Sequence, residues 1–155
     1  MSGGIENGQL EDQAAEKFSK GYLCSQAVFS TLAPLYGIDE SVALRIATGF
    51  GGGMARMQDV CGAVTGAFMV IGAAHGNVDA SDKPSIGRTY QEVRKFAERF
   101  RERHGTIICR EILGGVDLNT EEGHKEFLEK KMPETICSQC VRDAVKLLEK
   151  TEKGT

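Results

Sequence analysis

Five cysteines are the side chains of this sequence that are best suited to carry chemistry. A single cysteine in a cytosolic protein is usually a small buried apolar residue. Five of them, two in C-x-x-C spacing, instead indicate metal binding or thiol redox chemistry in a reducing compartment. The odd count leaves at least one thiol outside any full set of intramolecular disulfides. The five are Cys24, Cys61, Cys109, Cys137 and Cys140.

The strongest local motif is CSQC, which spans Cys137 to Cys140. This pair could close a disulfide, supply half of a metal site, or do neither. A thioredoxin-like protein would place the motif in a βαβ setting, which the sequence lacks. Covalent haem attachment would need C-x-x-C-H, but Val141 follows the pair. A zinc site of the common type would need a second close pair, and the other three cysteines stand alone.

Composition and charge narrow the class of protein. The chain has 155 residues, of which 41% are hydrophobic and 26% charged, and its net charge is −3. An acidic balance argues against generic binding of nucleic acid. The N-terminus does not resemble a secretory signal, and the longest apolar run, 67–74, is too short to insert into a membrane. We therefore predict one cytoplasmic domain over residues 1–155, with residues 1–8 flexible.

Hydrophobic periodicity predicts that this domain is helical. Apolar residues recur at helical spacing, and no segment alternates with the period of a strand. The pattern predicts an all-α bundle of about six to eight helices, with a third helix whose inner face carries Val42, Leu44, Ile46 and Ala47. The predicted helices cover residues 10–18, 25–35, 40–48, 61–74, 85 or 89 to 104, 106–113, 120–131 and 136–149.

On this assignment, every cysteine falls near the start of a helix. Free N–H groups and the helix dipole favour a negative charge there, which lowers the pKa of a thiol. Four thiolates that converge from four helix starts could hold an iron–sulfur cluster or a zinc ion. The spacing alone does not choose between these two centres.

The glycine-rich loop GFGGGM before Cys61 invites comparison with a phosphate-binding loop. It lacks the Lys-Ser/Thr pair of that motif, and no strand precedes it. We predict instead a compact turn that lets the backbone approach closely and leaves N–H groups free to bond sulfur. The histidines carry less weight. We expect His104 to be packed or to cap its helix, His124 to be solvated, and His75 to end the apolar helix.

Taken in order, the cysteine segments resemble the redox-active protein family named for its motif, C_GCAxxG_C_C. The matching segments extend from about Gly21 to Leu148, and the central motif runs from Cys61 to Gly66. They read CSQAV, ALRIATGFGGGM, CGAVTGA, HGTIICREILG and CSQCVRDA. The family is similar to a domain of split-Soret cytochromes, which are helical dimers that carry haem and an iron–sulfur centre.

The resemblance implies a set of four cysteines and a cofactor. The family positions correspond to Cys24, Cys61, Cys109 and Cys137, with Cys140 as the alternative fourth ligand. It further implies an iron–sulfur cluster, which we expect to be [2Fe–2S], together with a homodimer. Covalent haem is not expected, because the chain lacks C-x-x-C-H. The leading hypothesis is therefore an electron-transfer or redox protein that meets a partner protein, with no enzyme activity assigned. The alternatives are metal-free thiol–disulfide exchange by Cys137 and Cys140, with Cys61 as a further redox-active thiol candidate, and structural zinc.

Overall fold

The computed structural model of the chain describes residues 8–153 and shows an all-α fold. Within these residues there is no strand, only an isolated antiparallel bridge between Val60 and Ile108. The prediction of six to eight helices is confirmed, whereas the predicted flexibility of residues 1–8 lies, except for Gly8, outside the described residues. The helices are α1 (Gln9–Ser19), α2 (Cys24–Leu32), α3 (Glu40–Ala47), α4 (Gly62–His75), α5 (Lys83–His104), α6 (Cys109–Ile112), α7 (Glu121–Glu129) and α8 (Ser138–Lys153).

The core forms where α2, α4 and α8 pack together, with α1, α3 and α5 around them. The first half of α4 is buried on all sides, as its apolar sequence predicts. Gly66 lets α2 approach, because a Cβ at this position would lie 2.9 Å from the carbonyl oxygen of Ser25. The α2–α4 contact is therefore a close approach of two backbones, and it fixes where both helices begin.

The predicted inner face of α3 is wrong for Val42 and Ile46 and confirmed for Ala47. Ala43 and Ala47 are buried, whereas Val42 and Ile46 are 44% and 51% exposed. Small residues face the core because α3 lies close to α2, where the Ser25 hydroxyl donates to the Ala47 carbonyl at 2.8 Å. Hydrophobic periodicity could not detect this, since it favours the larger side chains as the buried set.

Several helix ends differ from the sequence-based boundaries. Pro34 follows α2, which gives way to a 3-10 turn over Ala33–Tyr36. The fifth helix starts earlier than predicted, because the Asp82 side chain accepts a hydrogen bond from the Ser85 N–H. The last helical segment also starts earlier, with a π-helical turn over Pro133–Cys137 that runs directly into α8. These shifts matter mainly at the C-terminal cysteine pair.

Candidate functional site

The structure brings all five cysteines to one cavity. Its volume is about 600 Å³, and Cys24, Cys61, Cys109, Cys137 and Cys140 all line it. Cys61 and Cys140 are buried, and the other three are partly exposed. The convergence that the helix-start argument required is therefore present for every cysteine in the chain. Apolar side chains form much of the remaining wall, namely Phe18, Ile112, Leu113, Leu118 and Phe127.

Three cysteines stand at helix starts as predicted, and two do not. Cys24 is the first residue of α2, Cys61 is the N-cap of α4, and Cys109 begins the four-residue α6. Cys137 instead ends the π-helical turn, and Cys140 follows within α8. The N–H groups there are already used, since the N–H of Ser138 donates to the Pro133 carbonyl. The prediction of a helix N-terminus at this pair is wrong because the preceding turn continues the helix.

The glycine loop approaches Cys24, whereas the sequence indicated an approach to Cys61 only. The N–H of Gly52 donates to the Cys24 sulfur, together with the N–H groups of Cys24 and Ser25. A Cβ at Gly62 would stand 2.5 Å from this sulfur. Burial, followed by repulsion from Cys61, nevertheless raises the pKa of Cys24 to about 11, and the three N–H bonds only partly oppose this. Without a cation, Cys24 is therefore a neutral thiol at neutral pH.

A left-handed turn carries the chain from the glycines toward Cys61. Gly52 and Gly53 have φ of 67° and 70°, and Met54, Ala55 and Arg56 follow at 67°, 55° and 60°. Each non-glycine residue in this conformation costs roughly 1–2 kcal/mol. Sustained left-handed backbone of this kind persists only where surrounding contacts hold it. This conformation could not be predicted from residue types, because only two of these five residues are glycines.

The side chain of Gln58 holds this loop in place. It is 2% exposed, and its Nε2 donates to the Val116 carbonyl at 2.8 Å. Its Oε1 accepts from the Leu118 N–H, also at 2.8 Å. Asn119 adds a bond from its Nδ2 to the Arg56 carbonyl at 2.8 Å. Sequence reasoning missed Gln58, since a glutamine in a polar loop is normally solvated.

Short backbone bonds join the same loop to Cys109 and Cys61. The Cys109 N–H donates to the Asp59 carbonyl at 2.7 Å, and the Cys61 N–H donates to the Ile107 carbonyl at 2.8 Å. Gly53 touches this junction, because a Cβ there would lie 2.7 Å from the Cys109 Cβ. Two cysteines that are far apart in sequence are thus positioned by one short two-stranded contact.

Cys61 and Cys140 form a hydrogen-bonded thiol pair at the buried part of the cavity. The bond from Cys140 lowers the pKa of Cys61, and the N–H groups of Ala63 and Val64 at the start of α4 add to the effect against the cost of burial. The same bond, followed by burial, raises the pKa of Cys140 strongly. The pKa values of the two thiols therefore move in opposite directions, and Cys61 is the thiol of the pair that loses its proton first.

His104 connects this thiol pair to a buried carboxylate. Its Nδ1 lies 4.0 Å from the Cys140 sulfur, and its Nε2 lies 2.8 Å from Oδ2 of Asp143. The ring stacks on Phe100 with centroids 4.4 Å apart. Arg103 donates to the other oxygen of Asp143 at 3.1 Å. The prediction that His104 is packed holds, but its contact with Cys140 was missed because the two residues lie on different helices.

The two remaining cysteines are neutral thiols in the absence of a cation. Burial raises the pKa of Cys109 to about 12, with repulsion from Cys61 and Cys24 adding to it. Burial also raises the pKa of Cys137, and three neighbouring thiols contribute. His124, which we predicted to be solvated, is half-buried and lines the cavity beside Phe127. Cys61 is therefore the thiol of this site that ionises most readily.

The donor set of this cavity has the chemistry of a soft-metal centre. Thiolates are the ligands of iron–sulfur clusters and of structural zinc. As the side chains are placed, no three Cys, His, Asp or Glu residues among those described form a ready coordination group. The donors match such a centre in type and number, and they line one cavity without being arranged as a coordination group.

Comparison with known proteins gives one match. Residues 22–151 match the family described as "Putative redox-active protein (C_GCAxxG_C_C)". Searches of curated proteins and of solved structures each returned no match. Among the helices of residues 8–153, none combines the length and the apolar character that a membrane span requires.

Proposed function

Because this chain belongs to the C_GCAxxG_C_C family of redox-active proteins, we propose that its cysteine cavity holds an iron–sulfur cluster and that the protein transfers electrons. One observation carries this proposal, namely the convergence of five thiols from separate segments on a single cavity. Four thiolates are the usual ligand set of such a cluster, which would supply one-electron chemistry when bound. A [2Fe–2S] centre is the form that we propose.

The electrostatics of the thiols support a bound cation. Without one, burial and mutual repulsion keep Cys24, Cys109 and Cys137 protonated. A metal centre would remove this repulsion and bind the thiolates directly, with release of their protons. Backbone N–H groups of Gly52 and of the first turn of α4 lie near the Cys24 and Cys61 sulfurs and favour their thiolates, and hydrogen bonds to sulfur tune the potential of a cluster.

The proposed ligands are Cys24, Cys61, Cys109 and Cys137. Cys140 is the fifth thiol, and its contacts with Cys61 and His104 suit a residue that supports a ligand instead of binding metal itself. Cys137 resembles the other three in its setting, since its pKa is raised by burial and then by repulsion from those three thiols. Cys140 remains the alternative fourth ligand if Cys137 proves dispensable.

The test is anaerobic purification, followed by iron, zinc and sulfide analysis and visible absorbance, before and after reconstitution. We expect two iron and two sulfide ions per chain and a charge-transfer spectrum. Separate Cys→Ser variants at Cys24, Cys61, Cys109 and Cys137 should each lose the iron. Cys140→Ser is the matched control and should retain it.

Two outcomes would contradict the proposal. A colourless protein without iron after reconstitution would overturn the cluster, and one zinc ion per chain would establish the structural alternative. If Cys140→Ser loses all iron whereas Cys137→Ser keeps it, the ligand assignment is wrong and Cys140 is the fourth ligand.

The second candidate is thiol–disulfide exchange without metal. The sequence suggested Cys137 and Cys140, but the hydrogen-bonded pair of Cys61 and Cys140 favours a different couple. The Cys61 thiolate would attack a small-molecule disulfide and release one thiol, and Cys140 would then displace the second thiol. Two protein thiols and one external disulfide thus give one protein disulfide and two free thiols. Mass mapping after treatment with glutathione disulfide would identify the cross-linked pair.

We also propose a reducing location and a self-associated form. Five free thiols suit a reducing compartment such as the cytoplasm, where a redox partner protein would exchange electrons with the centre. The homodimer is testable by light scattering of the reconstituted protein. A mass of one chain across the micromolar range would contradict it.

A further inference from the structure

The cavity is larger than the proposed centre requires. A [2Fe–2S] core contains four atoms, which at about 30 Å³ for each water-sized site need on the order of 100 Å³. The cavity has a volume of about 600 Å³, within the range of pockets that take whole organic molecules. Most of the space therefore remains for a second occupant beside the cysteines.

The walls that the cysteines do not form are apolar. Leu113 is 2% exposed and Leu118 is 9% exposed, and both face the cavity together with Ile112 and Phe127. Phe18 of α1 contributes a second ring. Burying apolar surface against such walls is worth roughly 25 cal/mol per Å². The occupant should therefore present an apolar body of the size of one or two rings.

The rim of the cavity carries one fixed positive charge. Among the described residues that line it, Arg56 alone is a lysine or arginine, and no ion pair within residues 8–153 includes it. Its side chain lies against Gly52, where a Cβ would stand 2.8 Å from the Arg56 Cγ. Its carbonyl is held by Asn119 at 2.8 Å. Arg56 thus places an exposed, unpaired side chain at the edge of an apolar cavity.

We propose that this cavity binds a small organic anion, with its apolar body between Leu113 and Phe127 and its carboxylate or sulfonate on Arg56. An arginine fork matches the geometry of both acid groups. Because its Cγ already packs against Gly52, part of the side-chain order that binding requires is present before the anion binds. The carboxylate of Glu134, also on the rim, repels an anion. Removing its charge should therefore strengthen binding, which gives a second test.

A pair of fluorescent probes tests the proposal. Anilinonaphthalene sulfonate has an apolar ring system with one anionic group, and phenylnaphthylamine has the same rings without the charge. We expect one sulfonate probe per chain, with an affinity about fivefold lower in Arg56→Gln and higher in Glu134→Gln. Binding of the uncharged probe should change little in either variant. Arg94→Gln, which removes an exposed arginine outside the cavity, should leave both probes unchanged.

Enlarging a wall residue tests whether the probe lies inside. Ile112→Phe should weaken both probes about tenfold, whereas Leu128→Phe, an exposed site outside the lining, should not. Thermal unfolding of each variant shows whether it is folded. If Ile112→Phe does not fold, Leu118→Phe provides a second enlarged wall residue.

Several results would overturn the proposal. They are equal loss of both probes in Arg56→Gln, weaker sulfonate binding in Glu134→Gln, and undiminished binding in both folded wall variants. The titrations are run on metal-free and on iron-reconstituted protein, and we expect the affinities to agree within about threefold. Loss of the probe on reconstitution would show that the centre fills the cavity. Iron content is measured separately, so failure of the cluster proposal is distinguishable from failure of this one.

Discussion

Two walls of the cysteine cavity are built in different ways. The helix wall consists of α2, α4 and α8, which contribute Cys24, Cys61 and Cys140. The loop wall consists of residues 106–137, which contribute Cys109 and Cys137. The helix wall belongs to the main hydrophobic core, and the loop wall has a small core of its own. That small core contains Leu113, Val116, Leu118 and Met132.

The difference lies in what holds each wall. Backbones in the helix wall touch at Gly62 and Gly66, so a larger side chain at either position would clash with its neighbours. The loop wall is joined to the glycine loop mainly by hydrogen bonds, including both amide atoms of Gln58. Close packing should therefore determine the positions of the three cysteines in the helix wall. Polar contacts should determine the positions of the two cysteines in the loop wall. A metal centre would be bound by cysteines of both walls. The loop wall should change its position more easily than the helix wall when the centre binds.

The largest expected effect comes from breaking the helix wall with Gly62→Ala. The new Cβ would lie 2.5 Å from the Cys24 sulfur, 3.0 Å from the Phe50 carbonyl oxygen and 3.1 Å from the Ser25 nitrogen. Two of these neighbours are backbone and cannot rotate away, so we expect a loss of about 3 kcal/mol in the free energy of unfolding. Urea denaturation would measure it.

The matched control for that change is Gly72→Ala in the same helix. Nothing lies within 4 Å of a Cβ at Gly72. Alanine there should stabilise the protein by about 0.5–1 kcal/mol, because it loses less backbone entropy in a helix. Equal effects at the two glycines would mean that close packing does not hold the helix wall.

The next largest effect should come from the loop wall, through Gln58→Ala. Removing this buried amide leaves the Val116 carbonyl and the Leu118 N–H without their partner, at a cost of about 2 kcal/mol. Hydrogen exchange should report the change first within residues 106–120 and not in α4. An equal loss of exchange protection in residues 106–120 and in α4 would contradict the view that the loop wall is held independently of the helix wall.

Alkaline pH should act on thiols of both walls. The pKa of Cys24 is about 11 and that of Cys109 about 12, whereas unfolded thiols ionise near 9. The unfolded state therefore loses these protons first, and stability that is complete below pH 9 should fall as pH rises toward 11 and 12. The slope reaches about 1.4 kcal/mol per pH unit for each thiol.

The lowered pKa of Cys61 acts in the opposite direction, but its contribution is already complete by pH 9. Urea denaturation of metal-free, reduced protein at pH 8, 9 and 10 would show the alkaline loss. Cys24→Ser should lose less than the parent chain over this range. If the two decline in parallel, Cys24 does not carry a raised pKa.

The smallest expected effect comes from removing a helix cap in the loop wall. The Thr120 hydroxyl caps α7 by accepting the Gly123 N–H at 2.9 Å. Thr120→Ala should cost about 1 kcal/mol. Asp39→Ala, which removes the cap of α3 on the side of the helix wall, should cost a similar amount without changing exchange at Cys109. Loss of protection at Cys109 in Asp39→Ala would show that the two regions are not independent.

The site was predictable in its chemistry and only partly in its construction. Five cysteines and the glycine loop were visible in the sequence, because residue type and local spacing determine donor chemistry and turn formation. The helix starts at Cys24, Cys61 and Cys109 followed from local signals. Gln58, Arg56 and His104 could not be assigned roles, since their partners lie about 40 to 60 positions away or on other elements.

The sequence by itself determined an all-α chain with a dry α4, tight backbone contact at the glycines, and thiols as the only abundant reactive groups. Periodicity, side-chain size and thiol chemistry are local properties, which is why they could be inferred from residue order. Only the tertiary structure decided that all five sulfurs share one cavity and that α3 buries its alanines. It also decided that Cys61 alone has a lowered pKa among them. These properties depend on burial and on contacts between distant segments, which are fixed only when the helices pack.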